Sequence, residues 1–176
     1  MFGDPVQILL DKQDLHELVL TYCRAVDRRD YALLRSLYHD DAIDDHGAMF
    51  KGGPDDYVAW LPGAMAMWET TVHSLSNCLF KIDGDAAEGE LYAIAYHRSP
   101  PPDAREIVIG GRYLDRYERR DGVWKFHRRA LALDWSNIRD VNPADYETFA
   151  AGAVMGRPDA GDASYVALGM FGRDQA

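Results

Sequence analysis

The chain has 176 residues, a formal net charge of −10, 47% apolar and 27% charged residues. That length and apolar content suit one packed domain over residues 1–176. The acidic balance argues against phosphate backbones and anionic membrane surfaces, so neither a nucleic-acid nor a membrane partner is expected.

No apolar run is long enough to span a bilayer, and Met1-Phe2-Gly3-Asp4-Pro5 lacks the basic and apolar regions of a signal peptide. Cys23 and Cys78 form no close pair and read as reduced thiols of a cytoplasmic protein.

In chain order, Leu15, Leu18, Val19, Tyr22, Ala25 and Val26 recur at helical spacing and predict a helix from about Gln7 to Arg29, with Asp27 at the edge of its apolar arc. Asp30 can cap a second helix through Leu33, Leu34, Leu37 and Tyr38, ended by His39-Asp40-Asp41. A short strand or hairpin is expected around Ala42 to Lys51, then a turn at Gly52-Gly53. Pro54 opens a third helix carrying Tyr57, Trp60, Leu61, Met65 and Trp68, kinked at Pro62.

The period then becomes alternating. Strands are predicted over Thr71 to Ile82, Ala86 to His97, Glu106 to Arg119 and Val123 to Trp135. Asp83-Gly84-Asp85 and Arg120-Asp121-Gly122 are hairpin signals, and Pro100-Pro101-Pro102 forces a longer loop. From about Asn142 the Ala- and Gly-rich tail reads as a short helix and an arm on the body or on a neighbour. Helices followed by hairpins predict an α+β fold with helices on one face of a sheet, and a curved sheet over helices leaves a cavity for a small ligand.

Three groups could carry chemistry. Asp27 loses water at the edge of an apolar arc unless a partner replaces it; alone, it reads as pairing with Arg24 or Arg28 or capping the next helix. His73 shares strand parity with Leu75, Asn77 and Leu79, and His97 with Leu91, Ala93 and Ala95, where small side chains and Gly111 leave room. Two imidazoles facing a carboxylate form an acid/base set, whereas each histidine alone reads as a hydrogen-bonded core or rim residue.

The third group, His39, Asp40, Asp41, Asp44, Asp45 and His46, does not match a zinc spacing and reads as a solvated helix end and turn. No dinucleotide, phosphate-loop or serine-elbow signature is present, so no cofactor is expected, and no metal site is assigned.

The order of segments resembles the SnoaL-like branch of the NTF2-like superfamily. The resemblance rests on Tyr22-Cys23-Arg24-Ala25-Val26-Asp27-Arg28-Arg29-Asp30, Leu37-Tyr38-His39-Asp40-Asp41-Ala42, Thr71-Val72-His73-Ser74-Leu75-Ser76-Asn77 and Gly111 to Phe126. It implies a cone with a curved antiparallel sheet wrapped over three helices and enclosing a pocket. It also implies kinship with cofactor-independent lyases: scytalone dehydratase, bile-acid 7α-dehydratases and lignin diarylpropane lyases that release formaldehyde.

By position, the resemblance implies Asp27, His73, Tyr22 and His97 as catalytic groups. Val26, Gly111 and Tyr113 stand where scytalone dehydratase carries other pocket residues, so scytalone is not the expected substrate. Tyr113, Tyr38, Trp60, Trp68 and Arg112 are the candidate substrate-binding residues for a hydroxylated aromatic or polycyclic molecule.

The expected activity is a dehydratase or an aldehyde-releasing carbon–carbon lyase. The alternatives are a non-catalytic binding or accessory subunit, as in ring-hydroxylating dioxygenases, and a ketosteroid-type isomerase. A homo-oligomer, dimer or trimer, is expected from an open sheet face and a long tail that need cover.

Overall fold

A computed structural model describes residues 4–102, 104–142, 144, 148 and 150–171. Helix α1 spans Pro5–Asp27; Asp4 caps it by accepting from the Val6 amide, with proline at the first turn. Leu15, Leu18, Val19, Tyr22, Ala25 and Val26 are all buried, as the spacing predicts. The chain then reverses through Arg29 at φ 50. Asp30 accepts from the Leu33 amide at 3.2 Å and starts α2, Tyr31–Ser36.

Here the sequence reading needs correction. Tyr38 does not continue the helix, and His39-Asp40-Asp41 does not end it. All four residues belong to strand β1, Tyr38–Asp45. A two-residue strand β2, Lys51–Gly52, pairs with it. Helix α3 spans Pro54–Met65 with Pro62 inside it, and Trp68 lies beyond its end. Arg29 holds this end by donating to the Met65 and Trp68 carbonyls at 3.0 and 2.5 Å.

Four long strands follow: β3 (Thr70–Asp83), β4 (Ala86–Arg98), β5 (Arg105–Arg120) and β6 (Val123–Asp140). They form successive antiparallel pairs. Strand β6 runs five residues past the predicted Trp135, because Asp140 still pairs with Arg105.

The six-stranded order is β2-β1-β6-β5-β4-β3. The fold is α+β with N-terminal helices, as expected. The sheet is mixed rather than wholly antiparallel, because β1 runs parallel to β6, with Asp44 opposite Arg129. A parallel neighbour needs a crossover, and α1 and α2 come too early to reveal one in sequence order.

Two irregularities shape the inner face. Between Ser76 and Leu79 the β3–β4 register shifts, with Asn77 at φ 46. The shift reverses parity, so Leu79 points outward at 66% exposure while Phe80 turns inward against the core. A second shift lies at Gly110/Gly111 on β5. A Cβ on Gly110 would sit 2.2 Å from the Trp135 indole, and one on Gly111 2.6 Å from the Ala132 carbonyl oxygen. Glycine is therefore required for this close approach.

Two buried carboxylates carry ion pairs inside the fold. Asp11 of α1 accepts from Arg119 at 2.6 Å and from the Trp124 indole at 3.1 Å, tying the helix to β5 and β6. Asp115 accepts from Arg129 at 2.9 and 2.7 Å and from the Tyr117 hydroxyl at 2.7 Å.

In the tail, Asp162 pairs with Arg28 at 3.2 Å, and Arg24 reaches the Ser164 hydroxyl and the faces of Tyr165 and Phe171. This part of the arm packs on α1. The helix expected just after Asn142 falls largely outside the described residues. Among the described residues, no helix is long and apolar enough to cross a membrane.

Candidate functional site

Between α1, α3 and the concave face of the sheet lies a cleft of about 480 Å³. Its walls are mostly apolar and aromatic, including Val26, Trp60, Leu61, Met65, Trp68, Ile107, Ile109 and Tyr113. Three histidines, His46, His73 and His97, interrupt that lining. An apolar cleft with a few convergent polar groups is the usual form of a small-molecule site.

Asp27 is the last residue of α1, so its side chain leaves the helix end toward the start of β3. It pairs with neither Arg24 nor Arg28. Oδ1 accepts from the Thr71 hydroxyl at 3.0 Å and from His73 Nδ1 at 2.7 Å, and Oδ2 accepts from the His73 amide at 2.8 Å. Three donors thus replace the water lost on burial. A carboxylate that only accepts fixes His73 as the Nδ1–H tautomer, which leaves Nε2 for the cleft. Among the described residues no group hydrogen-bonds that nitrogen.

His97, on β4, stands edge-to-face with His73 at 5.5 Å between ring centroids. Trp68 covers its other side at 5.1 Å. Among the described residues its buried Nδ1 makes no hydrogen bond of ordinary geometry, the Ala95 carbonyl being at most a weak partner of the ring. Burial, and next the neighbouring His73, pull its pKa down to about 4. His97 is therefore a neutral imidazole at neutral pH, able to form hydrogen bonds but not a reservoir of protons.

Tyr22 lines the cleft with its hydroxyl 2.8 Å from that of Tyr57. Burial, then the nearby Tyr57, raise its pKa well above that of free tyrosine, so the proton stays on oxygen. The Arg129 guanidinium lies beneath, 4.0 Å from the Tyr22 ring and 4.1 Å from that of Tyr113.

Of the expected substrate-binding residues, Tyr113, Trp60 and Trp68 line the cleft. Two do not. Tyr38 is sealed below it at 1% exposure, donating to Asp44 at 2.6 Å. Arg112 sits between inward-facing Gly111 and Tyr113, so strand alternation sends it to the outer face, where Glu90 and Asp134 bind it.

The expectation of a solvated turn at His39 to His46 holds for the exposed Asp40 and Asp41 and is overturned at Asp44 and His46. Asp44 is fully buried and accepts from His46 Nδ1 at 2.5 Å. His46 stacks on Tyr57, with 5.5 Å between centroids and 20° between planes. The alternation of Ala42 and Asp44 on one face of β1, continued by His46 just past its end, was the available signal, masked by a locally charged composition. Among the described residues, no three His, Cys, Asp or Glu side chains are grouped to hold a metal ion.

A SnoaL-like domain model matches residues 7–130. An uncharacterized protein of Mycobacterium tuberculosis is 26% identical over 125 residues, covering 68% of this chain and 82% of its own. Among solved structures, a scytalone dehydratase-like protein of Novosphingobium aromaticivorans superimposes with a TM-score of 0.67 at 24% identity, covering 76% of this chain and 91% of its own. A hexachlorocyclohexane dehydrochlorinase of Novosphingobium barchaimii does so with a TM-score of 0.70 at 21% identity, covering 77% and 94%. At these identities the likeness carries the fold, and the structural neighbours include lyase-type enzymes. The matched segment takes in α1, the whole of β5 and the start of β6, and with them Asp27, His73 and His97; this chain belongs to the SnoaL-like domain family.

Proposed function

We propose that this protein is a cofactor-independent lyase that eliminates water from a hydroxylated aromatic or polycyclic small molecule, or releases formaldehyde from a lignin-derived diarylpropane diol. The observation that carries the reading is the Asp27–His73 pair. A buried carboxylate holds Nδ1–H, and the opposite nitrogen opens onto an apolar cleft.

In a dehydration, His73 Nε2 takes a proton from the carbon next to the carbinol. The C–H electron pair becomes the double bond, and the carbon–oxygen bond breaks. The His73 imidazolium returns the proton to the departing hydroxyl, which leaves as water, and Asp27 stabilises the transient charge. A positioned base of this kind supplies on the order of 10²–10⁴-fold.

In a 1,3-diol the proton comes instead from the terminal hydroxyl. Its oxygen pair forms the carbonyl of formaldehyde, the carbon–carbon pair forms the alkene, and the benzylic hydroxyl leaves with the proton. Neutral His97, beside His73, is a hydrogen-bonding partner for the departing oxygen in either case. Tyr22, tied to Tyr57, shapes the wall and offers a hydroxyl that stays protonated.

Dehydration and dehydrochlorination, the activities that two structural neighbours are named for, are both eliminations. That agreement supports the reaction type and leaves the substrate to be found. The test is a screen of hydroxylated aromatics and diols in metal-free buffer, read by product mass, with His73→Ala as the control. Loss of water alone from an alcohol, or of formaldehyde together with water from a diol, with the native chain, reduced about 10²–10⁴-fold in folded His73→Ala, is expected. Conversion by an isomerisation without mass change, or equal turnover by the variant, overturns the reading.

A further inference from the structure

The cleft has a second imidazole–carboxylate pair that the elimination does not use. His46 follows β1, which is the third neighbour of β4 and the fourth of β3 in the sheet order, so it stands across the sheet from His97 and His73. Its backbone is pinned: the His46 amide donates to the Phe50 carbonyl at 2.8 Å, and the Met49 amide donates to the His46 carbonyl at 3.4 Å. Its ring is clamped on Tyr57 and meets the edge of Tyr113 at 6.4 Å.

Asp44 fixes the polarity of this ring. With no exposed surface, it accepts from the Tyr38 hydroxyl on Oδ2 and from His46 Nδ1 on Oδ1. Burial, then Asp44 itself, keep the Tyr38 proton on its oxygen, so Tyr38 serves only as a donor here. Nδ1 of His46 is thus committed as a donor, and Nε2 is left as an acceptor. Among the described residues no hydrogen bond reaches that atom, and it is not sealed from the cleft. The surrounding walls are Met49, Tyr57, Trp60 and Tyr113, whose side chains are predominantly apolar or aromatic at this end.

We propose that His46, held by Asp44 and Tyr38, is the site that receives a hydroxyl of the substrate, so that the cleft takes a flat molecule with an O–H at the His46 end and its reacting carbon at the His73 end. An acceptor nitrogen in an apolar wall selects an O–H donor over a C–H edge, because an unmatched polar atom there loses its hydrogen bond to water. This assignment rests on the lyase reading for the reacting end only; the hydroxyl end is tested without turnover.

The probes are 2-naphthol and naphthalene, which differ by one hydroxyl, measured by equilibrium dialysis against the full chain. His46→Phe keeps an aromatic ring against Tyr57 and removes the nitrogen. It is expected to weaken 2-naphthol about tenfold and to leave naphthalene within about twofold. In the native chain, ¹⁵N spectra of the histidine side chains are expected to show His46 Nε2 shifting with 2-naphthol and not with naphthalene. That arm does not depend on a variant folding.

Equal effects on both probes, an unmoved Nε2, or loss of the hydroxyl preference in His73→Phe rather than His46→Phe overturns the proposal. Because neither probe can eliminate water, failure here leaves the lyase reading to its own test, and failure of that test leaves this one standing.

Discussion

Two buried carboxylates, Asp115 and Asp27, are partnered in opposite ways. Asp115 grips Arg129 through two bonds, with both side chains at 0% exposure, and the guanidinium is covered by the rings of Tyr22, Tyr113 and Phe126 at 4.0, 4.1 and 4.2 Å. Asp27 grips His73, a partner that can gain and lose a proton and keeps one nitrogen toward the cleft. The first pair holds a permanent charge where no ligand reaches, which suits a structural post. The second joins a titratable ring to a space where a reactant fits, the arrangement that acid/base chemistry needs.

The sharpest way to break this contrast is to remove each carboxylate. Asp115→Ala leaves the Arg129 cation buried and unpaired, and is expected to cost about 3–5 kcal/mol of stability in a urea titration. If it unfolds at the native midpoint, the structural half of the comparison fails. Asp27→Asn keeps the shape but weakens the hold on His73. It is expected to lower kcat on an identified substrate by about 10²–10³-fold while remaining folded by circular dichroism.

Thr71→Val sharpens the second case by removing one of three donors to Asp27. A stability loss of about 1 kcal/mol is expected, with a several-fold lower kcat and little change in KM.

His97 adds a pH signature to the cleft that Arg129 cannot give. Its folded pKa of about 4 lies below the ordinary histidine value of 6.5. Above pH 6.5 both folded and unfolded chains carry it neutral, so its contribution to stability is intact. As pH falls from 6.5 to 4, the unfolded chain takes the proton first and stability declines; below 4 the loss levels off. His97→Asn is expected to flatten that segment of the stability curve, measured by thermal melts at stepped pH. The smallest effect is expected at Arg112, on the outer face: Arg112→Ala should leave ligand affinity in the cleft unchanged, by dialysis with 2-naphthol.

Much of the frame was legible because its signals are local. The α1 stripe, the cap at Asp30 and the two-residue turns of the hairpins each lie within a few residues. Asp27, His73 and His97 could be assembled from the family resemblance together with strand parity. What escaped depends on distant pairing. Asp44 and His46 sit in a charged run that reads as a wet turn, and only insertion of β1 beside β6, more than 80 positions later, buries them. Parity also misled where the ladder slips. The shift after Ser76 sends Leu79 outward, and assigning Arg112 to the pocket ignored its inward-facing neighbours Gly111 and Tyr113. Arg129, the cation beneath the cleft, carried no local mark that separated it from Arg128.

The central claim is that Asp27 holds His73 as the Nδ1–H tautomer with Nε2 open to a reactant. Nitrogen-15 spectroscopy of the histidine rings in the unliganded protein tests it most directly. A proton-bearing Nδ1 on His73, lost from its low-field position in Asp27→Asn, with Nε2 unprotonated in the neutral ring, is the result expected. A His73 ring protonated on Nε2, or a Nδ1 signal indifferent to Asp27→Asn, would contradict it.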